Sequence, residues 1–309
     1  MREREASLRI GLIGYGEVGR ILTQALREKG IAWVGAWDIL FRDAAQGPSL
    51  KSRAREGGIE ACESLAELLA SADVAISAVT ASNALDVARE APASIRQGTY
   101  FLDLNSASPA TKAASAKLVD AVGAHYVEAG VMTAVPPRGI RTPMLLGGTE
   151  ARSLAAKLAP LGFDMTVVAD EIGVASAIKM CRSVIIKGIE AIVIESYATA
   201  RRHGVERHVI ESLRETFPSI DWEKQGAYLF SRVAKHGRRR AEEMREVANT
   251  VREAGFEPWL SAAIAEKQDW VAALASSGLF RDLEAEVDWR DYADRMIAAA
   301  EPAPGKKSA

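Results

Sequence analysis

The sequence predicts an α/β fold in which an N-terminal, doubly wound parallel sheet is followed by an all-α C-terminal domain. The first half alternates short apolar segments with helical stretches, which is typical of parallel strands joined by helices. From Gly173 onward the strand signal ends and long stretches of helical spacing take over. The length of 309 residues also suits two domains, which we place at 1–168 and 169–309.

The individual elements follow from these patterns. The short apolar segments predict strands at Leu8–Ile13, Ala32–Trp37, Val74–Val79, Tyr100–Leu104, His125–Ala129 and Met165–Val168. The stretches between them predict helices at Gly19–Glu28, Ser64–Ala70, Asn83–Ala91 and Pro109–Val122. The second half predicts helices at Val174–His203, Glu206–Thr216, Glu223–Glu253, Pro258–Ser276 and Trp289–Ala300. The Pro-rich tail after Ala300 is typical of a disordered segment.

Composition and charge argue against several classes of protein. Lys and Arg total 39 against 41 Asp and Glu, so the net charge of −2 leaves no positive excess for binding nucleic acid. The two cysteines, Cys62 and Cys181, stand in no metal-ligand spacing, so we expect neither a disulfide scaffold nor a metal site. No apolar run reaches the ~18 residues of a membrane span, and no secretory signal is recognised. We therefore expect a cytoplasmic protein that binds neither nucleic acid nor membranes.

A G-x-G-x-x-G motif follows the first predicted strand and precedes the first predicted helix; it comprises Gly14, Tyr15, Gly16, Glu17, Val18 and Gly19. In this position the first glycine permits a tight turn, the second lets the backbone approach a pyrophosphate, and the third allows close helix–strand packing. The amide groups at the start of the helix would face the phosphates. The motif predicts a Rossmann-type dinucleotide-binding domain, and the alternative is a tight turn that binds no ligand.

The end of the second predicted strand bears on the choice of cofactor. Asp38 stands 19 residues after Gly19, near the spacing at which an acidic residue accepts hydrogen bonds from the adenosine ribose. Because a carboxylate repels a 2′-phosphate, we expect NAD(P) as the cofactor, with NAD favoured over NADP. Arg42 lies close by and moderates this preference, and an aspartate that merely ends a strand is the alternative.

Further motifs follow the glycine-rich turn in a fixed order along the chain. Ile76–Asn83 comes first, Asp103–Pro109 next, and then Gly173 with Lys179 on the following helix. In this order they resemble the β-hydroxyacid dehydrogenase family, which includes 3-hydroxyisobutyrate and 6-phosphogluconate dehydrogenases. The last two resemble the family patterns Asp-x-Ser-Thr-x-x-Pro and Gly-x₅-Lys-x₃-Asn. The chain is more similar to a branch of that family with a divergent helical C-terminal domain.

The resemblance implies hydride transfer between nicotinamide and the alcohol carbon of a small hydroxy acid, and we expect a homodimer. It implies catalytic roles for Lys179, the general acid/base, and for Ser183, which stands in place of the family's asparagine. Cofactor contacts are implied for Val79, Thr80, Asn83, Asn105 and Ser106. Substrate contacts are expected from Asn105, Met132, Thr133, Arg182, His236 and Arg239. Because Ser183 and Met132–Ala134 depart from the family pattern, the identity of the substrate does not transfer.

The reaction itself explains why a lysine is suitable. Oxidising an alcohol removes the hydroxyl proton as hydride leaves the carbon, and a partly desolvated lysine can take that proton and return it. While charged, it also stabilises the alkoxide. From helical spacing alone, the stripe of Lys179, Arg182, Ser183, Lys187 and Glu190 is most simply a solvated face with exposed ion pairs. The family match favours the catalytic interpretation for Lys179.

Several other residues have structural as well as functional interpretations. Ser108 before Pro109 is a good helix N-cap, whereas we assign Asn105 and Ser106 to function. Arg182 could bind a carboxylate or form a surface ion pair. The basic segment that contains His236 and Arg239 could be a solvated helix face. We expect Cys181 to pack in the core, and the tryptophans to anchor the core or a subunit interface: Trp222, Trp259 and Trp270.

Two other functions stay open. Imine reductases are built on a similar fold, but the lysine position is often replaced in them, so Lys179 argues against imine reduction. A non-catalytic dinucleotide sensor would have no use for an acid/base at that position.

Overall fold

The computed structural model describes residues 8–283 and 287–300. They divide into two compact units, one within Met1–Cys181 and the other within Arg182–Ala309. The predicted boundary at 168/169 stays a prediction, because one helix continues from the first unit into the second. The tail after Ala300 lies outside the described residues.

The first unit contains an eight-stranded sheet in the order β3-β2-β1-β4-β5-β6-β7-β8. Its strands are β1 Arg9–Ile13, β2 Trp33–Trp37, β3 Glu60–Ala61, β4 Val74–Ser77, β5 Tyr100–Asp103, β6 His125–Val131, β7 Met144–Gly147 and β8 Met165–Ala169. Its helices are α1 Glu17–Glu28, α2 Gly47–Glu56, α3 Leu65–Ser71, α4 Ala84–Glu90, α5 Pro109–Asp120 and α6 Ala151–Leu158. Every neighbouring pair is parallel except β6 and β7, which confirms the predicted parallel sheet and adds an antiparallel step.

Four elements fall outside the predicted pattern: β3, β7, α2 and α6. The strand β3 has only two residues, too few to produce an alternation. The strand β7 contains only three large apolar residues, which lie between Pro143 and a pair of glycines. The helix α2 buries only Gly47 and Ala54, so it carries no apolar stripe.

Both faces of the sheet are covered by apolar side chains, as the near-continuous hydrophobic strands require. Successive residues of each central strand alternate between two core clusters. On β1, Ile10 and Leu12 belong to one cluster and Ile13 to the other. On β5, Leu102 and Phe101 divide in the same way. This alternation anchors the strands, so their carboxyl ends are held in register at one edge.

The helical unit contains the rest of the described chain. Its helices are α7 Val174–His203, which begins in the first unit, α8 Glu206–Thr216, α9 Trp222–Glu253, α10 Trp259–Ser276 and α11 Trp289–Ala300. The core gathers around the fully buried Trp289, whose ring lies 4.7 Å from that of Tyr197 and 6.1 Å from that of Phe230. This confirms the predicted all-α region. None of the described helices has the length and apolar character needed to cross a membrane.

Arginine–carboxylate pairs attach α11 to the neighbouring helices. Arg201 of α7 donates from Nε to Asp294 Oδ1 at 2.7 Å. Arg290 of α11 donates from Nη2 to Glu223 Oε1 at 2.9 Å. The hydrogen bonds from these guanidinium groups lower the pKa of Asp294 and of Glu223 below their usual values.

These pairs predict a loss of stability in acid. A carboxylate whose pKa is lowered by folding stabilises the native state above its unfolded pKa, and that contribution is lost as the pH falls through the folded pKa. We therefore expect the melting temperature to fall below about pH 4, where unfolded carboxylates begin to bind protons. Arg290→Met should lower stability at pH 7 by about 0.5–1 kcal/mol, since the pair is partly exposed and screened, and should flatten the acid dependence. Arg238→Met, which changes an exposed arginine, is the control. If the melting temperature of Arg290→Met still fell with acid as steeply as that of the unaltered chain, the acid dependence could not be assigned to this pair.

Candidate functional site

The parallel strands of the first unit end at a common edge of the sheet, and the candidate residues follow those ends directly. The turn Gly14–Gly19 follows β1, and Asp38 follows β2. The next segments follow β4, β5 and β6: Val79–Asn83, Asn105–Ser106 and Met132–Thr133. The carboxyl edge of an open parallel sheet is where ligands bind in α/β proteins. The structure thus brings most of the sequence-predicted residues of the first unit to one edge.

The glycine-rich turn has the geometry that a pyrophosphate requires. Gly14 adopts φ +97°, and its amide donates to Trp37 O at 2.8 Å. A Cβ on Gly19 would lie 2.0 Å from Gly14 O, so this glycine is needed for the turn to close. A Cβ on Gly16 would meet nothing within 4 Å, and no side chain caps the start of α1 there. The first amides of α1 are therefore not covered by a capping side chain, and the residues fit a dinucleotide.

Asp38 is held against this turn by backbone amides. Its Oδ2 accepts from the amide of Tyr15 at 2.6 Å, and its Oδ1 accepts from the amide of Leu40 at 2.9 Å. A carboxylate has acceptor capacity beyond two hydrogen bonds, so these contacts orient Asp38 without exhausting it. Arg42 lies over the ring of Trp37, with 5.7 Å between its guanidinium carbon and the ring centroid. The predicted contact of Asp38 with a ribose stays a prediction.

Asn105 connects the loops after β4 and β5. Its Oδ1 accepts from the amide of Val79 at 2.7 Å, and its Nδ2 donates to Ser77 Oγ at 2.9 Å. The side chain is buried, so the two loops are fixed relative to one another. At the exposed end of the β4 loop, Asn83 Nδ2 donates to Thr80 Oγ1 at 3.0 Å. Asn105 therefore has a structural contact in addition to its predicted role.

A buried polar network under the β5 loop was not anticipated from the sequence. Lys112 donates to the carbonyl of Asp103 at 2.9 Å and lies 3.0 Å from its Oδ1. The hydroxyl of Tyr126 donates to Asp103 Oδ2 at 2.6 Å. Burial, and then the charge of Asp103, raise the pKa of Tyr126 well above its usual value, so it remains a donor. The sequence did contain one indication of this network, because Asp103 is an acidic residue in an otherwise apolar strand.

Ser108 has the structural role expected of it. It is the N-cap of α5, and its Oγ accepts from the amide of Thr111 at 3.3 Å. Pro109 occupies the first turn of that helix. This cap sets the end of the loop that carries Asn105 and Ser106.

The start of α7 is held against β6 by two features of that strand. Glu128 is fully buried, and its Oε1 accepts from the amides of Gly173 at 2.8 Å and Ala175 at 2.9 Å. A Cβ on Gly130 would lie 2.8 Å from Ala175 O and 3.4 Å from Lys179 Cβ. The carboxylate caps the amides at the helix N-terminus, and the absent Cβ permits the close approach. Together, these two features fix the position on α7 from which the side chain of Lys179 extends.

Lys179 extends from α7 to the loop after β5. Its Nζ donates to Ser106 Oγ at 2.6 Å, and both side chains are partly buried. Two motifs that are 73 residues apart in the chain therefore meet at the carboxyl edge of the sheet. An ammonium that is partly withdrawn from solvent and held by a hydroxyl is a suitable proton donor or acceptor for a bound alcohol oxygen.

In the helical unit the polar stripe of α7 differs from its simplest interpretation. Ser183, Lys187 and Glu190 are buried, so the expectation of a solvated stripe is wrong for them. Lys187 has a partner on α9, Glu243, and Glu190 accepts hydrogen bonds from Arg240 of α9 and Gln268 of α10. Several apolar side chains of the same helix are instead exposed: Ile185, Ile189 and Ile192. Cys181 is also exposed, so its expected core packing is wrong.

The remaining substrate candidates of the helical unit have varied environments. Arg182 is exposed, and His236 is partly buried on α9. Arg239 donates to Glu243 on its own helix at 2.8 Å. Among the described residues, no group of three or more metal-ligating His, Cys, Asp or Glu side chains occurs.

The sequence and the fold of this chain are similar to those of known proteins. A family described as the NAD binding domain of 6-phosphogluconate dehydrogenase matches residues 9–161, and a domain of unknown function (DUF1932) matches residues 200–271. A conserved hypothetical protein from Sinorhizobium meliloti 1021 has a similar structure, with 34% sequence identity and a TM-score of 0.73. That match covers 95% of this chain and 97% of the other.

Two more relatives carry functional descriptions. The 2-(hydroxymethyl)glutarate dehydrogenase of Eubacterium barkeri is 24% identical over 217 residues, which are 68% of this chain and 69% of the relative. The structure of 3-hydroxyisobutyrate dehydrogenase from Mycobacterium tuberculosis with L-serine matches with a TM-score of 0.67. It covers 95% of this chain and 99% of that chain at 17% identity, which is a likeness of fold alone.

The two glycines at the start of α1 give a matched pair of substitutions. Gly16 has φ −72°, which alanine adopts, and open space at its Cβ position, so Gly16→Ala should leave the melting temperature nearly unchanged. It should weaken NADH binding about tenfold or more, or about 1.4 kcal/mol, because the methyl group lies where the pyrophosphate approaches. Gly19→Ala should instead destabilise the fold by about 1–3 kcal/mol through overpacking. NADH fluorescence and thermal melting measure the two effects; normal NADH affinity in Gly16→Ala would contradict the phosphate assignment.

Proposed function

We propose that this chain, which belongs to the β-hydroxyacid dehydrogenase family related to 6-phosphogluconate dehydrogenase, is an NAD(P)-dependent oxidoreductase acting on the alcohol of a small hydroxy acid. The observation that carries the proposal is the hydrogen bond from Lys179 Nζ to Ser106 Oγ, at the sheet edge where the glycine-rich turn also lies. It puts a partly buried amine beside the predicted nucleotide site. A protein that only sensed dinucleotides would not need such an amine.

The residues of the chain divide the chemistry between them. A bound nicotinamide would accept hydride from the alcohol carbon, or return it in the reverse direction. Neutral Lys179 takes the proton of the alcohol oxygen as the carbonyl forms, and charged Lys179 returns a proton to that oxygen in the reduction. Ser106 accepts a hydrogen bond from Nζ and so limits the orientations of the amine. The charged form also stabilises the oxygen while it carries negative charge.

The cofactor would be held by the sheet edge. The amides of the glycine-rich turn would bind the pyrophosphate, and the loops after β4 and β5 would contact the nicotinamide end: Val79, Thr80, Asn83, Asn105 and Ser106. Asp38, held by two amides, would accept hydrogen bonds from the adenosine ribose. Its negative charge disfavours a 2′-phosphate, so NAD is the proposed cofactor in preference to NADP.

The substrate is proposed to be a small hydroxy acid. The relative from Eubacterium barkeri is a dehydrogenase of 2-(hydroxymethyl)glutarate, a carboxylic acid that carries a primary alcohol. Ser183 would contact the substrate one helical turn beyond Lys179. Further contacts are proposed from the β6 loop and from the helical unit: Met132, Thr133, Arg182, His236 and Arg239.

A homodimer in the cytoplasm is proposed as the working form. The apolar side chains Ile185, Ile189 and Ile192 are exposed along α7, with Ile192 65% exposed. On α10, Trp259 is 79% exposed and Trp270 is 42% exposed, so neither anchors the core. Large apolar side chains grouped on the surface mark interfaces between proteins. A second copy of the chain would cover these apolar side chains, and no other protein would be needed to bury them.

Lys179→Met should bind NADH like the unaltered chain but lose turnover by about 10²- to 10⁴-fold, because the acid/base is removed while the nucleotide contacts remain. Lys117→Met, which removes an exposed lysine from α5, is the matched control and should leave turnover unchanged. Turnover is followed by NADH or NADPH absorbance with a panel of hydroxy acids, including 3-hydroxyisobutyrate and 2-(hydroxymethyl)glutarate.

The same panel separates the alternatives when cyclic imines are added to it. Turnover of imines alone would replace the proposal with imine reduction. Binding of NADH without turnover of any compound would favour a sensor. Retained turnover in Lys179→Met would remove the lysine from the mechanism.

Ile192→Glu should convert the protein to a monomer, because a charge in the middle of an apolar interface must be desolvated without a partner. Since Ile192 is largely exposed in the single chain, the monomer should keep its fold. Light scattering after size exclusion measures the mass, and circular dichroism checks the fold. Val122→Glu, which changes an exposed apolar position in the turn after α5, is the control. A monomeric unaltered chain would disprove the dimer.

A further inference from the structure

We propose that Lys112 and Asp103 are positioning residues for the loop between β5 and α5. This loop, residues 104–108, carries Asn105 and Ser106. Held by the buried ion pair, it presents Ser106 to the catalytic amine and Asn105 to the nicotinamide end of the cofactor. The inference rests on the proposed function, because it names the residues that hold two of its site residues in place. All of these residues belong to the first unit.

The ion pair joins the two ends of the loop. Asp103 is the last residue of β5, and Lys112 lies near the start of α5. Lys112 Nζ donates to the backbone carbonyl of Asp103 at 2.9 Å and lies 3.0 Å from its Oδ1. Lys112 is fully buried, and Asp103 is 1% exposed. One ammonium therefore holds the end of the strand and the start of the helix together, so the loop spans fixed ends.

The carboxylate of Asp103 also orders the loop itself. Its Oδ1 accepts from the amide of Asn105 at 2.8 Å, and its Oδ2 accepts from the hydroxyl of Tyr126 at 2.6 Å. An ionised carboxylate has only acceptors, so it can receive the ammonium and both of these donors together. Further along, the amide of Ala107 donates to the carbonyl of Asn105 at 3.1 Å. Ser106 lies between these two hydrogen-bonded amides, so its position depends on the orientation of Asp103.

Neither the helix nor the core requires a lysine at this position. The N-terminal end of a helix carries partial positive charge, so an ammonium near the start of α5 is unfavourable for the helix itself. Taking two charges out of water also offsets most of the attraction between them. What the ion pair supplies is a constraint of direction. Any movement that separates Lys112 from Asp103 leaves two buried charges uncompensated.

The position of the loop decides two contacts of the candidate site. Ser106 Oγ accepts from Lys179 Nζ at 2.6 Å, and Asn105 Oδ1 accepts from the amide of Val79 at 2.7 Å. A displacement of about 1 Å in a reacting group can reduce the rate about 100-fold. A loop released from Asp103 should therefore lower turnover while the glycine-rich turn, which follows a different strand, still binds the pyrophosphate.

The test compares a neutral replacement of the pair with a control at the other end of the same strand. Lys112→Met with Asp103→Asn leaves no uncompensated charge, removes the ammonium from the carbonyl and leaves one acceptor oxygen in place of two. Thr99→Val removes a buried hydrogen bond to Ala72 O, 3.3 Å long, just before β5 begins. Both variants lose a buried hydrogen bond, and thermal melting measures the structural effect of each.

Two measurements do not depend on turnover. Amide hydrogen exchange of residues 104–108, followed by mass spectrometry, should accelerate about tenfold or more relative to β5 in the paired variant and stay unchanged in Thr99→Val. NADH affinity should fall about tenfold in the paired variant, the loss of one or two hydrogen bonds. ADP-ribose, which lacks the nicotinamide, should bind with an affinity within about twofold of that for the unaltered chain.

Kinetics give the third measurement. With a substrate from the panel, the paired variant should lose kcat by about 10- to 100-fold, whereas Thr99→Val should keep kcat within about twofold. Ser106→Ala should lower kcat as well. Adding Ser106→Ala to the paired variant should give no more than the larger of the two separate losses, because both changes act through the same loop.

Tyr126→Phe is a milder variant of the same network. It removes only the hydroxyl that donates to Asp103 and keeps the ring stacked on Phe101. Exchange of residues 104–108 and NADH affinity should shift in the same directions by smaller factors. The proposal is therefore testable even if the paired variant fails to fold.

Unchanged exchange of residues 104–108, or equal losses of NADH and ADP-ribose affinity, would overturn the proposal. So would losses of kcat from Ser106→Ala and the paired variant that multiply when they are combined. If the unaltered chain turns over no hydroxy acid, the proposed function fails, whereas exchange and nucleotide binding still decide whether Lys112 and Asp103 position the loop.

Discussion

A single buried carboxylate determines where the catalytic candidate lies. Glu128 accepts hydrogen bonds from the amides of Gly173 and Ala175, which are among the donors that a helix N-terminus leaves without intrahelical partners. The negative charge also complements the dipole of α7. Gly130, two residues along the same strand, has no side chain to keep the helix away. Because the helix cannot slide along β6, Lys179 is presented to Ser106 and the sheet edge.

Buried carboxylates that accept hydrogen bonds from several donors recur in both units. In the first, Lys112 and Tyr126 satisfy Asp103 directly beneath the loop that carries Asn105 and Ser106. In the helical unit, Arg240 and Gln268 contact Glu190 on the inward face of α7. Buried ion pairs contribute little net stability, since desolvation offsets much of the attraction. They do penalise any arrangement that separates the partners, so they hold loops and helices in one position.

Much of the fold was accessible from local patterns. The bounds of α7, α8 and α11 follow from helical spacing, and the order of strands and helices predicted the parallel sheet. The antiparallel β7 and the short β3 were missed because a few residues carry no periodicity. The inward and outward faces of α7 were also misjudged, with Lys187 and Glu190 buried and Ile185 exposed. Residue spacing identifies a helix and its polar and apolar faces. Which face packs against the core depends on the side chains that the neighbouring helices present to it.

The sequence by itself determined the glycine-rich turn, the acidic residue after β2 and the presence of Lys179 on a long helix, because each of these is a local arrangement of residue types. Only the tertiary structure decided that Lys179 meets Ser106 and that Lys187 meets Glu243. These two contacts join residues far apart in the chain. Their geometry depends on how strands and helices pack, and in a close-packed interior that is set by many side chains together.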